Sequence, residues 1–154
     1  MSLRRRANDT LRRNNDPNSN PLSSPPPPSR PLLLFAGRCK FCRAAARFVA
    51  WIDRNEELAL LSFEVPEAAP YVAGIPEDEL YASWHLIEPN GARLVGGDAG
   101  IALLEHIRLT RPLGRLFRWA RLYALVAAVD RFLKEHRVRL NRFVPEVPAP
   151  HRPP

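Results

Sequence analysis

Two cysteines are the residues in this sequence whose type and spacing could carry chemistry. Cys39 and Cys42 are the only cysteines in the 154 residues, and two residues separate them. At the start of a helix this spacing puts both sulfurs within about one turn, close enough to join as a disulfide. Exchange of disulfides needs a thiolate, and nearby positive charge favours the thiolate over the thiol. Cys39 is therefore the candidate nucleophile, Cys42 the candidate resolving cysteine, and Arg38, Lys40 and Arg43 the candidate electrostatic support.

The elements that must position these cysteines are predicted to be a strand, a glycine turn and a helix. Residues 32–35 read Leu-Leu-Leu-Phe, a run typical of a strand covered on both faces. Gly37 permits a turn, and a helix is predicted from near Cys39 to about Arg54. The positive end of its dipole would lie at Cys39 and favour a thiolate there. The buried stripe of this helix is predicted to be Phe41, Ala45, Phe48, Val49 and Ile52.

Three other interpretations of the cysteine pair compete with redox chemistry. A structural zinc site needs four ligands, but no second C-x-x-C is present and the histidines are scattered, at His85, His106, His136 and His151. A structural disulfide is disfavoured because the loop it closes is too short to restrict the unfolded chain much. Two inert thiols near a helix start remain an open alternative. We expect no metal and, since no glycine-rich nucleotide loop is present, no organic cofactor.

Three further strands are predicted from apolar runs and a turn signal. Residues 58–63 are nearly all apolar and are predicted to form a second buried strand, parallel to the first because one helix joins the two. Residues 83–87 and 92–95 are predicted to form an antiparallel hairpin. The sequence Glu-Pro-Asn-Gly between them, residues 88–91, suits a type I turn.

Helices are predicted for most of the remaining domain. A short helix is expected within residues 66–80, and Asp98 is the predicted N-cap of a helix that ends near Arg108. One or two more helices follow between Leu113 and Asn141. Their predicted apolar stripes are Leu116, Ala120, Tyr123 and Ala127, and then Val129, Leu133, His136 and Leu140. The order β-α-β-α-β-β-α predicts an α/β, thioredoxin-like fold with added C-terminal helices.

Composition divides the chain into three segments. Residues 1–31 contain six arginines and a run of four prolines but little apolar surface, so we predict a disordered basic arm. Residues 32–143 are predicted to be the folded domain, and residues 144–154 a proline-rich tail.

The net charge of +7 is concentrated near the end of the domain, where residues 105–142 contain ten basic and three acidic side chains. Such a surface suits an acidic partner or anionic lipid, and a solvated helix surface is the commoner explanation of arginines spaced along helices; a nucleic-acid partner is not favoured. The longest apolar run, residues 122–129, is too short to span a bilayer, and no secretory segment is recognised. We therefore expect a reducing, cytoplasmic location.

The chain resembles the DCC family of thiol–disulfide oxidoreductases, which is named for an Asp-Gly-x-Cys-x-x-Cys motif after a short apolar strand. The motif stands here as residues 36–42, with residues 88–91 similar to the family's central hairpin. Residues 97–99 resemble its helix start and residues 137–142 its closing basic helix. This resemblance, over about residues 32–141, implies a thioredoxin-like fold and redox activity at the two cysteines.

Two departures from the pattern stand out. Ala36 occupies the position of the family's Asp, and a carboxylate there could accept a proton or hold the turn by a bond to the backbone. Thioredoxin-like folds also usually carry a cis-proline just before the third strand, whereas residues 81–84 read Tyr-Ala-Ser-Trp.

The expected function is thiol–disulfide exchange with a disulfide-containing protein or a small thiol. Phe41 and Trp84 are the candidate substrate-binding residues, as an apolar rim for the partner. The alternative is a redox-inactive binding or scaffold module that uses its basic C-terminal helices to hold an acidic partner. Ala36 favours this alternative, since the activity would be impaired if the carboxylate were required.

Overall fold

The structure is a computed structural model that describes residues 26–119 and 123–154. Residues 1–25, which make up most of the predicted arm, lie outside the described residues. The arm and the boundaries of the domain therefore stay predictions.

Strands and helices alternate in the predicted order. The strands are β1 Leu32–Phe35, β2 Ala59–Ser62, β3 His85–Ile87 and β4 Arg93–Val95. The helices are α1 Lys40–Ile52, α2 Ala69–Val72, α3 Glu77–Leu80, α4 Gly97–His106, α5 Arg111–Trp119 and α6 Tyr123–Phe143, and a 3-10 turn at Pro66–Ala68 precedes α2. The predicted α/β, thioredoxin-like class is confirmed.

Strand β1 is an inner strand of a mixed four-stranded sheet whose order is β2-β1-β3-β4. It pairs with β2 in parallel, with Leu33 opposite Leu60, and with β3 in antiparallel. All four residues of β1 are fully buried because the sheet carries packed side chains on both faces. The chain segment that follows β1 therefore starts from a fixed position inside the sheet.

Helix α1 packs on the sheet through a face that overlaps the predicted stripe only in part. Its buried residues are Cys42, Ala46 and Val49, at the i, i+4, i+7 spacing of one helical face. Phe48 was expected on the buried stripe, but it is 59% exposed and lies beside Trp51 with ring centroids 5.8 Å apart. The fully buried Ala46 has a small side chain, which lets the helix approach the sheet closely. With Ala46 facing the sheet, Phe48 points outward.

The predicted hairpin is confirmed. The Gly91 N–H donates to the Glu88 carbonyl at 2.8 Å, and Gly91 has a positive φ of 83°, which favours glycine. The capping prediction for the next helix is wrong, because Gly96 is the N-cap of α4 and Asp98 lies within the first turn. The chain turns through Gly96 at a φ of 63°, so the helix begins before the carboxylate can cap it.

The predicted C-terminal helical region consists of two helices, α5 and α6. Of the predicted apolar stripes, Leu116 and Val129 are exposed, whereas Leu133, His136 and Leu140 are half-buried. Ala120 lies outside the described residues, and no side-chain environment is described for Tyr123 and Ala127. His136 stacks on Phe132 with centroids 4.2 Å apart, so its nearest partner is on its own helix.

Residues 144–154, predicted as a tail, pack against the domain. Arg152 exchanges two backbone hydrogen bonds of 2.8 Å with Leu60 and so covers the outer edge of β2. Its guanidinium contacts the carboxylate of Asp53 at 3.1 Å and donates to the Ala50 carbonyl at 3.0 Å. The prolines keep this segment from forming a regular helix or a central strand. A single non-proline residue can still pair with the N–H and carbonyl groups that an open sheet edge leaves unpaired.

We predict that Arg152→Ala lowers the free energy of unfolding by about 1–3 kcal/mol, because it leaves the buried Asp53 carboxylate without its cation. Asp53 keeps the N–H groups of Glu57 and Leu58, both at 3.0 Å, which limits the loss. Urea denaturation would measure it, with Arg139→Ala as the control, since the exposed Arg139 forms no ion pair with another described residue. Equal stability of the two variants would contradict the packing of this segment in solution.

Candidate active site

The two cysteines lie at the start of α1, just beyond the carboxyl end of β1. Cys39 is the N-cap of the helix, and its sulfur accepts the Cys42 N–H at 3.3 Å. Cys39 is partly exposed, whereas Cys42 is only 8% exposed. A sulfur at this position receives the positive end of the helix dipole and an N–H donor, both of which favour a thiolate.

Glu64 holds the turn that leads into Cys39. Its carboxylate lies just past the end of β2 and accepts the Gly37 N–H at 2.9 Å and the Arg38 N–H at 3.3 Å. Only glycine fits at position 37, because a Cβ there would lie 2.7 Å from a carboxylate oxygen of Glu64 and 2.9 Å from the Ser62 side chain. Although position 36 is Ala, the turn therefore has a carboxylate partner from the segment just after β2.

The Tyr81 hydroxyl donates to the same carboxylate at 3.2 Å. Partial burial tends to raise the pKa of Glu64, but the hydrogen bonds from the backbone and from Tyr81 outweigh it and lower the pKa below the usual value. Burial, and then the charge of Glu64, raise the pKa of Tyr81. Glu64 is thus a carboxylate that links the cysteine turn to the segment before β3.

Basic residues at the site are tied to acidic and carbonyl groups. The Arg43 guanidinium donates to the Gly37 carbonyl at 2.7 Å and to the Val147 carbonyl at 2.9 Å, and it contacts Glu146 at 3.1 Å. Lys40 lies 3.7 Å from the same glutamate. Two of the three predicted supporting cations thus share Glu146, which reduces the positive charge they present to Cys39. Their role in stabilising a thiolate, and that of Arg38, stays a prediction.

The first turn of α1 is also fixed by the C-terminal helix. The Asn141 side-chain oxygen accepts the Phe41 N–H at 3.0 Å, which satisfies one of the donors that every helix start leaves open. Because Asn141 lies on α6, this bond joins the last helix of the domain to the first.

An apolar cavity of about 200 Å³ opens beside Cys42. Phe41 and Trp84, the predicted substrate-binding residues, both line it. Its other lining residues come from the cysteine turn, from the segment before β3, from the start of α4 and from α6: Ala36, Tyr81, Ala82, Ser83, Gly96, Gly97, Gly100, Val126, Val129 and Leu133. The structure thus brings both predicted residues to one cavity with a cysteine, while their role in binding stays a prediction.

Histidines of the described residues lie in separate environments. His85 in β3 is fully buried, and burial lowers its pKa, with Nε2 bonded to the Leu80 carbonyl at 3.2 Å. His106 lies 2.9 Å from Glu88, and His151 lies 4.0 Å from Glu67. Within residues 26–119 and 123–154 no group of three or more His, Cys, Asp or Glu side chains is arranged to hold a metal ion.

A comparison with protein-family models identifies the family. The model of the DCC1-like thiol-disulfide oxidoreductases matches residues 33–143, from β1 to the end of α6. The chain belongs to this family. No curated protein and no solved structure matched the chain. The family match covers both cysteines, the Glu64 turn and Asn141, and none of the helices described here is long and apolar enough to cross a membrane.

Three residues of the site were not predicted from the sequence. Glu64 follows a strand predicted to run parallel to β1, and the carboxyl ends of such strands meet at one edge of the sheet, so its position carried a usable signal. No signal in the sequence pointed to Asn141 or Glu146, because the helix and the segment that bring them to the cysteine turn are about 100 residues away in sequence.

We predict that Glu64→Gln lowers the free energy of unfolding at pH 7 by about 0.5–1 kcal/mol, since the side chain is exposed and its bonds are partly screened. The folded-state pKa of Glu64 is lowered, so its contribution is present above the usual value of 4.5 and is lost as the pH falls through the folded-state value. Urea denaturation across this range should show the two proteins converging at acidic pH.

Glu67→Gln is the matched control, because Glu67 is an exposed glutamate three residues further along that does not contact the turn. A difference between wild type and Glu64→Gln that is independent of pH, or equal to that of the control, would contradict this account of the turn.

Proposed function

We propose that this member of the family is an active thiol–disulfide oxidoreductase that uses Cys39 and Cys42 as a dithiol/disulfide pair. The supporting observation is the cap geometry: the Cys39 sulfur accepts the Cys42 N–H at the start of α1, and Cys42 lies buried behind it. A partly exposed sulfur with a donor and a helix dipole suits the attacking thiolate, and a recessed neighbour suits the resolving cysteine.

In the reducing direction, the Cys39 thiolate attacks one sulfur of a substrate disulfide. The other substrate sulfur leaves as a thiolate and takes up a proton, and a mixed disulfide to Cys39 remains. Cys42 then loses its proton and attacks the Cys39 sulfur, which releases the second substrate thiol and closes the Cys39–Cys42 bridge. Two electrons and two protons pass to the substrate, and two external thiols, or one dithiol, must reduce the bridge and become oxidised to a disulfide.

Phe41 and Trp84 support binding of an apolar group next to the disulfide, because both line the cavity beside Cys42. The substrate is a disulfide-containing protein or a small thiol compound, and a reducing compartment such as the cytoplasm would keep the pair ready to act.

A redox-inactive binding module is the second candidate. It is favoured by the basic surface of residues 105–142, with ten basic and three acidic side chains, and by Ala36 in the place of the motif's Asp. In this function the two helices α5 and α6 would hold an acidic partner. The carboxylate of Glu64 on the cysteine turn weakens the argument from Ala36, since the turn has an anionic partner after all.

We predict that Cys39→Ser abolishes reduction of an insulin-like disulfide substrate, whereas Cys42→Ser traps a mixed disulfide on Cys39. The reason is that only Cys39 attacks, and only Cys42 can resolve the product. Mass spectrometry of the trapped species, together with a pH–rate profile of the wild type, would measure both effects.

Wild-type turnover no faster than that of Cys39→Ser at any pH would contradict the proposal. If Ala36→Asp then restored turnover, the chain would be a family member that has lost activity, and the binding function would hold. Lys134→Gln removes one positive charge from the basic helices at a position away from the two cysteines in sequence. It is the control for the effect of that charge on turnover.

A further inference from the structure

Exposed apolar side chains are concentrated in the C-terminal helices. Of the eleven large hydrophobic residues exposed among the described residues, nine lie between Leu109 and Phe143. The other two are Phe48 and Trp51, which lie next to each other on α1. A monomeric soluble protein seldom exposes apolar residues in such a group unless the surface binds something.

Helix α5 has its apolar stripe on the outside. Gly114 is its buried residue, and a Cβ at that position would lie 2.7 Å from the Glu105 side chain of α4, so the helix presses on α4 through a glycine. Leu116 and Trp119 fall on the opposite side of the helix at 100° per residue. Both are exposed, Trp119 by 84%. A helix that stabilises a soluble domain shows the reverse arrangement.

The same helices carry the positive charge of the chain. Residues 105–142 have an excess of seven basic side chains. Arg115 is exposed next to Leu116 and forms no ion pair with another residue described in the structure, whereas Arg118 pairs with Glu105. Arginine beside outward leucine and tryptophan is typical of helices that lie in the interface of an anionic bilayer.

Helix α6 carries a second group of exposed apolar side chains. Leu125, Val129 and Phe132 are exposed and share one face at i, i+4, i+7 spacing. Val129 also lines the cavity beside Cys42. The outward apolar face of α6 therefore reaches the mouth of the candidate active site.

We propose that α5 and the outward face of α6 form a docking surface for an anionic lipid bilayer, with Leu116 and Trp119 inserted among the lipids and the arginines at the headgroups. This goes beyond the proposed redox function and does not depend on it. A second copy of the chain fits poorly, because two surfaces that each carry an excess of positive charge repel one another. With nine residues, α5 lies along the interface rather than across the bilayer.

Co-sedimentation of the full chain with vesicles tests the proposal. Vesicles of phosphatidylcholine are compared with vesicles of phosphatidylcholine and phosphatidylserine, at low and at physiological salt. We expect the anionic vesicles to bind at least about tenfold more tightly, because several arginines meet the headgroup charge. Replacing both Leu116 and Trp119 by Ser should weaken that binding by about tenfold or more, since two large apolar side chains no longer insert.

Trp51→Ser is the matched control, because Trp51 is also an exposed tryptophan, 65% exposed, but lies on α1. Its binding should equal that of the wild type, and circular dichroism should show that each variant keeps its helices. Absence of binding to anionic vesicles would overturn the proposal. Binding that the Leu116 and Trp119 replacements leave unchanged would also overturn it, since charge alone, including that of the N-terminal arginines, would then account for adsorption.

Two further outcomes would assign the surface to another occupant and overturn the proposal. A dimer in gel filtration that dissociates when Leu116 and Trp119 are replaced would identify a second copy. Binding to polyglutamate that depends on Leu116 and Trp119 as strongly as vesicle binding does would identify an acidic protein.

Discussion

The backbone of Gly37 is held through both its N–H and its carbonyl group, and the candidate site depends on these two contacts. Its N–H donates to the Glu64 carboxylate at 2.9 Å, and its carbonyl accepts from the Arg43 guanidinium at 2.7 Å. An anion on the donor side and a cation on the acceptor side give charge-assisted hydrogen bonds, which are stronger than neutral ones. The chain between β1 and α1 is thereby fixed, and with it the position of Cys39.

Distant parts of the chain converge on this turn. Glu64 comes from the end of β2, Tyr81 from the segment before β3, and Glu146 from the C-terminal segment. Asn141 of α6 adds a bond to the first turn of α1. Such a site forms only when the whole domain has folded, because no local stretch supplies its partners. The motif that contains Cys39 is thus local in sequence, but the groups that orient this cysteine are not.

The fold could be predicted well from the sequence because its signals are local. Apolar runs, complete in β1 and nearly complete in β2, predicted these two strands, and Pro89 and Gly91 marked the hairpin. Predictions were wrong where two nearby residues suited the same structural role equally well. Phe48 and Ala46 both suit a helix face, and only contact with the sheet selects Ala46. Asp98 suits an N-cap, but Gly96 lets the helix begin earlier.

The candidate site could be predicted only in part. The cysteine pair follows from motif and resemblance, and Phe41 and Trp84 stay predicted binding residues, whereas the contacts of Glu64 and Asn141 depend on the three-dimensional arrangement of strands and helices. Ala36 illustrates the need for the three-dimensional arrangement. A missing carboxylate in the motif suggested a damaged turn, yet a carboxylate reaches the turn from another strand.

The most direct measurement is a redox titration of the full chain in glutathione buffers of graded potential, followed by acid quenching, alkylation and mass spectrometry. If Cys39 and Cys42 form a dithiol/disulfide pair, both should become protected from alkylation together in one two-electron transition, with a slope of about 30 mV per tenfold change in ratio. Glutathione adducts that form on the two cysteines independently, or cysteines that stay alkylated across the whole range, would contradict a redox-active pair.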